Sequence, residues 1–136
     1  MAQLGKLEKV ELRKVWEHEA RDFSEWLARE ENLAQLSEEL GIEIEVIGTE
    51  ESSGRFRVDI LAKETNSGDY VIIENQLEPT NHDHLGKVIT YAAGYDAKYI
   101  IWIVKDVLDE HQKAIEWLNE HLDDSISCFL VRIEVW

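Results

Sequence analysis

The feature that most constrains this chain is Tyr99-Ile100-Ile101-Trp102-Ile103-Val104, six successive residues without a charge or a turn former. Such a run reads as a β-strand covered on both faces, in the interior of a sheet with helices packed against it. The 136 residues amount to a single domain, 1–136. A chain of this length buries about 65–70% of its unfolded surface and needs no disulfide or structural metal to fold. The apolar content of 44%, with five Trp, excludes intrinsic disorder. The single cysteine, Cys128, lies in the apolar run 126–131 and is expected to be a buried thiol rather than a nucleophile. No stretch approaches the roughly 20 apolar residues of a membrane span, and the polar N-terminus is unlike a signal peptide. A cytoplasmic protein without a membrane partner is the expectation.

Around the run 99–104 the periodicities alternate between helix and strand. Residues 10–40 read as helix in two stretches: Trp16, Ala20, Phe23 and Leu27 form the first stripe, Leu33, Leu36 and Leu40 the second. Gly41 stands where that helix would stop. Ile42, Ile44 and Val46 then alternate with Glu43 and Glu45, giving a strand with one apolar face. The segment 55–63 is a second strand, with Phe56, Val58, Ile60 and Ala62 on one face and Arg55, Arg57, Asp59, Leu61 and Lys63 on the other. Thr65-Asn66-Ser67-Gly68 is a turn, and 69–76 returns as the other arm of a hairpin. After Pro79, Thr80 or Asn81 caps a helix to about Tyr95, with Leu85, Val88, Ile89 and Ala92 inward. Residues 109–122 form another helix with Ile115, Leu118 and Leu122 inward, and 126–136 a last strand. The order α–β–β–β–α–β–α–β is that of an α/β fold with a mixed central sheet flanked by helices. The sequence stops at Trp136 while still reading as strand, as a piece of a longer protein would.

The charge pattern limits what such a fold can bind. Fourteen Lys and Arg face 29 Asp and Glu, a net charge of −15, and the acids are spread over both halves. That surface repels nucleic acid at long range, so a phosphate-binding role requires a local site with its own cation.

The hairpin carries the candidate chemistry. With Thr65–Gly68 as a four-residue loop, Glu64 pairs with Asp69, and counting back along both arms sets Asp59 opposite Glu74. Opposed side chains share a face, with Cβ atoms about 4.5–5.5 Å apart, and like charges there are destabilising. Gln76, two residues on, points to the same face. A divalent cation would relieve the repulsion, and oxygen donors favour Mg²⁺ or Mn²⁺ over zinc. Two alternatives stay open at this level: Asp59 paired with Arg55 or Arg57, and Glu74 facing water.

Arg57-Val58-Asp59-Ile60-Leu61, a turn, and Val71-Ile72-Ile73-Glu74-Asn75-Gln76 together resemble the PD-(D/E)XK, or restriction-endonuclease-like, nuclease superfamily. The similarity is nearest to small bacterial members with a Glu-x-Gln motif followed by a stretch such as His82-Asp83-His84-Leu85-Gly86, and it covers nearly the whole chain. It implies an αβββαβ core followed by an extra helix and strand. It also implies metal-dependent hydrolysis of phosphodiesters in nucleic acid, DNA before RNA. Asp59 and Glu74 would hold Mg²⁺ or Mn²⁺ with the backbone carbonyl of Asn75. Glu19 would be the acid that many members point at the site from the first helix, with Asp22 a weaker candidate.

One departure matters. The lysine of the superfamily's motif is Gln76 here, which can hold a water by hydrogen bonding but carries no positive charge. Lys87, one helical turn before Tyr91, would supply the missing cation, and related nucleases often show Gln-x-x-x-Tyr at these positions. Arg55, Arg57, His82, His84 and Tyr91 would face nucleic acid; His82 and His84 alternatively bond to the turn, and at i, i+2 they make a poor zinc pair. His18, His111 and His121 stand in no recognisable constellation. The competing expectation is a nuclease-fold domain of weak or no activity that binds nucleic acid or protein, since a fold does not guarantee chemistry. Dimerisation, common in the superfamily, would suit double-strand cleavage, and with few basic residues a further domain or partner would have to add affinity for DNA.

Overall fold

A computed structural model describes residues 3–10, 24–53 and 56–135, with side chains over 24–49, 58–76 and 80–132. The elements in chain order are β1 (Gln3–Val10), α1 (Glu30–Leu40), β2 (Ile44–Ser53), β3 (Phe56–Glu64), β4 (Tyr70–Pro79), α2 (His82–Tyr95), β5 (Tyr99–Asp106), α3 (Asp109–His121) and β6 (Ser127–Val135). A helical turn at residues 24–27 precedes α1.

The six strands form one sheet in the order β1-β6-β5-β4-β3-β2. β2, β3 and β4 are antiparallel neighbours, whereas β4, β5, β6 and β1 run parallel. The sheet is therefore mixed, and β5 is interior to it, as its apolar run requires. Ile101 and Ile103 pack with Leu33, Leu36 and Leu40 of α1 on one face; Ile100, Trp102 and Val104 pack with Val88 and Ala92 of α2 and Ile115 of α3 on the other. Both parallel crossovers, β4–α2–β5 and β5–α3–β6, step the same way along the sheet, so a constant right hand puts α2 and α3 on one face.

The αβββαβ core with its extra helix and strand is the expected architecture, with one addition. β1 was not foreseen, because Leu4, Leu7 and Val10 recur every third residue, closer to helical than to strand spacing. Parallel pairing of β1 with β6, shifted in register between Leu7 and Val10, overrides that local signal. Of the first predicted helical stretch only residues 24–27 are described, and Trp16, His18, Ala20 and Phe23 lie outside the described residues.

Local chemistry explains the boundaries. α1 ends at Gly41 in the left-handed region (φ 75°), where its N–H reaches Ser37 O at 2.8 Å. α2 starts at Asn81, whose side chain accepts from the His84 N–H at 2.8 Å. In the hairpin turn the Glu64 carboxylate accepts from the Asn66 and Ser67 N–H groups, and Gly68 takes φ 78°. Ile89, expected inward, is 43% exposed, because α2 buries the narrower stripe Val88–Ala92 with Leu85 at its side. Cys128 is buried, as expected, and burial pushes its thiol pKa up to about 11, away from nucleophilic use.

Candidate active site

The β3–β4 ladder pairs Lys63 with Tyr70, Ala62 with Val71, Leu61 with Ile72 and Ile60 with Ile73. That register, carried one step further, sets Asp59 against Glu74, as the turn length predicts. At this step the backbone pairing gives way to side chains. The Asp59 N–H donates to Glu74 Oε2 at 2.7 Å, and the Asn75 N–H donates to Asp59 Oδ2 at 2.9 Å. Each carboxylate thus satisfies a backbone donor of the opposite strand where the ladder no longer does. The predicted alternation along β3 fails nearby: Val58 packs with Leu61 on the α2 face, although Ile60 and Ala62 lie on the α1 face.

The faces of β4 sort the remaining candidates. Ile72 lies on the α2–α3 face, so Glu74 and Gln76 follow it there, while Asn75 turns to the α1 face, where its side-chain amide donates to Ser24 Oγ. Asn75 therefore meets the carboxylate pair through its backbone N–H and not its side chain. Gln76 is buried, and its Oε1 accepts from the indole Nε1–H of Trp102 at 3.2 Å.

Glu74 is buried and its pKa is pushed up to about 9, first by loss of solvent and then by the adjacent charge of Asp59. Lys87, exposed on α2, pulls the other way and is thereby placed within electrostatic reach of the pair. Glu74 thus carries a proton at neutral pH in the absence of a cation. Two hard oxygen donors, one of them held protonated by burial and like charge, fit a divalent cation of the Mg²⁺ type. Among the described residues no group of three or more His, Cys, Asp or Glu is gathered to hold a metal. An ion at this place would take Asp59, Glu74, the Asn75 carbonyl and water, the sparse protein coordination that Mg²⁺ accepts.

Tyr91 is half-buried on α2, packed against the same core cluster. His84 lies in the first turn of α2, its ring Nδ1 3.1 Å from Oδ1 of the capping Asn81, which is the bond to the turn foreseen as the alternative to a nucleic-acid contact. Arg57 lies on β3 opposite Ser52. Its side chain, and Glu19, Asp22 and Arg55 altogether, lie outside the described residues.

His111, Thr80 and Trp102 were missed. His111 is 2% exposed, with Thr80 Oγ1 2.6 Å from its Nδ1 and His82 Nδ1 2.7 Å from its Nε2. Thr80 Oγ1 accepts from the Leu108 N–H at 3.0 Å, which leaves its own proton for His111. Burial and the neighbouring His82 hold the His111 pKa below the ordinary imidazole value. The Trp102 ring lies edge-on to His111 at 6.0 Å. His111 stands one turn before Ile115 on the inward stripe of α3, so periodicity alone marks it as a core residue.

Two solved structures are similar to this chain in fold. A repair endonuclease from Pyrococcus abyssi superposes with a TM-score of 0.53 at 15% identity, over 79% of this chain and 47% of that one. A complex of EndoMS with double-stranded DNA superposes with a TM-score of 0.52 at 15% identity, over 79% of this chain and 45% of that one. The chain shares a nuclease fold. It spans a little under half the length of these two structures. No family model matches it, and no curated protein matches it. Among the described residues no helix is long and apolar enough to cross a membrane.

Proposed function

We propose that this chain is a single nuclease-like domain, residues 1–136, that hydrolyses phosphodiester bonds of nucleic acid, DNA in preference to RNA, with Mg²⁺ or Mn²⁺. The observation that carries this reading is the pair of crossed carboxylates, Asp59 and Glu74, at the point where the β3–β4 ladder opens on a nuclease fold. The DNA bound in one of the two similar structures supports DNA as the substrate class.

Asp59, Glu74 and the Asn75 carbonyl hold the cation. When bound, it supplies positive charge beside the phosphate and lowers the pKa of a water. Glu74 gives up its proton as it takes on that role, so binding strengthens with rising pH. Lys87, already within electrostatic reach of the pair, brings a positive charge from α2 where the resemblance leads one to expect a lysine at position 76. Glu19, Arg55, Arg57, His82 and Tyr91 complete the proposed site as acid and nucleic-acid contacts, and a dimer would bring two sites to a duplex.

Incubating supercoiled and single-stranded DNA with Mg²⁺ or Mn²⁺ tests the reading. Cleavage by the wild type that falls at least about 100-fold in Glu74→Ala is the expected result. Equal cleavage by both proteins would contradict it. Gln76 and the net charge of −15 favour a second reading, a nuclease-fold domain that binds without cutting. That reading predicts cation-dependent DNA binding with no cleavage by either protein.

A further inference from the structure

We propose that Thr80 and His111 are positioning residues for His82, fixing the direction of a hydrogen-bonded chain so that His82 meets a phosphate oxygen as an uncharged Nε2–H donor. The proposal rests on the nuclease reading for its ligand and on hydrogen-bond geometry for the rest.

The chain begins at a backbone donor. Thr80 Oγ1 accepts from the Leu108 N–H at 3.0 Å, and His111 Nδ1 lies 2.6 Å from the same oxygen. Thr80 is 2% exposed, and its hydroxyl has no third partner among the described residues. Were His111 Nδ1 protonated, the hydroxyl would accept twice and its own hydrogen would be left unpaired in a dry interior. Every group is satisfied when Thr80 donates to Nδ1, which puts the His111 hydrogen on Nε2. His82 Nδ1, 2.7 Å away, must then accept, so the hydrogen of the neutral His82 ring stands on Nε2. A proton added at His82 Nδ1 would set two N–H groups face to face, and relieving that contact returns the chain to the stranded hydroxyl. Burial and the neighbouring His82 hold the His111 pKa below the ordinary imidazole value, in accord with an uncharged ring.

The chain is anchored inside and open outside. His111 is 2% exposed and meets the Trp102 ring edge-on, so the ring that holds His82 is itself fixed. Trp102 stands in register with Glu74, which places the chain on the sheet face that carries Glu74. His82 opens α2 and is exposed; its Nε2, across the ring from His111, has no hydrogen-bond partner among the described residues. Such a donor holds a phosphate oxygen by direction and, being uncharged, displaces no counterion.

One readout follows the ring and another the ligand. In long-range ¹H–¹⁵N spectra at neutral pH, His82 is expected to show Nδ1 as a pure acceptor and Nε2 as fully protonated. Thr80→Val, with no hydroxyl to set the direction, should average the two nitrogens, and Thr80→Ser should restore the pattern. Binding of a double-stranded oligonucleotide is then measured across a salt series, with Ca²⁺ as a non-cleaving substitute for Mg²⁺. His82→Ala is expected to weaken binding at least about fivefold at every salt concentration, with the slope of log K against log salt unchanged. A slope reduced by about one in His82→Ala would reveal a cationic contact and overturn the proposal. Averaged His82 nitrogens in the wild type, or binding that ignores His82→Ala, would overturn it as well. Should Thr80→Val not fold, the wild-type spectrum and the salt series decide. If cleavage does not depend on Glu74 while the spectrum and the slope are as expected, the nuclease reading falls and the His82 assignment stands.

Discussion

Glu74 combines burial with a like charge directly across the hairpin, and both raise its pKa, to about 9 from an ordinary 4.5. Below pH 4.5 the group is protonated folded and unfolded alike, and burial carries no charge penalty. Between 4.5 and 9 the folded chain keeps a proton that the unfolded chain has released, so stability falls as pH rises through this window and levels off above it. Glu74→Gln keeps an oxygen for the Asp59 N–H and removes the ionisation. Urea denaturation from pH 5 to 9 should show a flatter profile for this variant and up to about 5 kcal/mol more stability than wild type at pH 8. An unchanged slope would mean that Glu74 is ionised and solvated. The pairing of Asp59 with Glu74 was legible beforehand because it needs only a turn length and a count. The contact between Thr80 and His111 was not, because it joins residues 31 apart through the packing of two crossovers.

Among the elements, α2 shows what local signals decide and what packing decides. Its start was readable from Asn81, which satisfies the first-turn His84 N–H. Its inward face was read too broadly at Ile89, because the width of the stripe depends on how α2 lies on β3, β4 and β5. β1 was unreadable for a related reason: an edge strand of mixed polarity declares itself only through its pairing with β6. The link from β4 to α2 is the more heavily loaded joint. Thr80 donates its backbone N–H to Asp106 O at 3.0 Å, and its hydroxyl serves both Leu108 and His111. Thr80→Val preserves shape but strands the buried His111 ring and the Leu108 N–H, and should cost about 2–3 kcal/mol. Asn81→Ala, at the half-exposed cap beside it, should cost about 1 kcal/mol. Chemical denaturation of the two variants checks the order; a Thr80→Val loss no larger than the Asn81→Ala loss would show the His111 cluster to be slack.

At the scale of the whole molecule, the sheet carries core clusters on both faces, and the β3–β4 backbone ladder stops beyond Ile60 and Ile73, where side chains take over the pairing. α2 brings Lys87 to the same face, and α3 braces Trp102 from behind through His111. The mixed order of the sheet was legible from alternating runs and turns, because hairpin and crossover lengths leave few topologies. The brace behind Gln76 was not, since Trp102 read only as one more apolar residue of the interior strand. A molecule carrying −15 can hold phosphate only where a cation is bound or a base stands close, and the place proposed for that cation is Asp59 with Glu74. Anomalous diffraction from crystals soaked in Mn²⁺ measures this directly. A single strong peak within coordinating distance of both carboxylates, absent from Glu74→Gln crystals, is the predicted result; manganese bound elsewhere, with none between these two side chains, would contradict it.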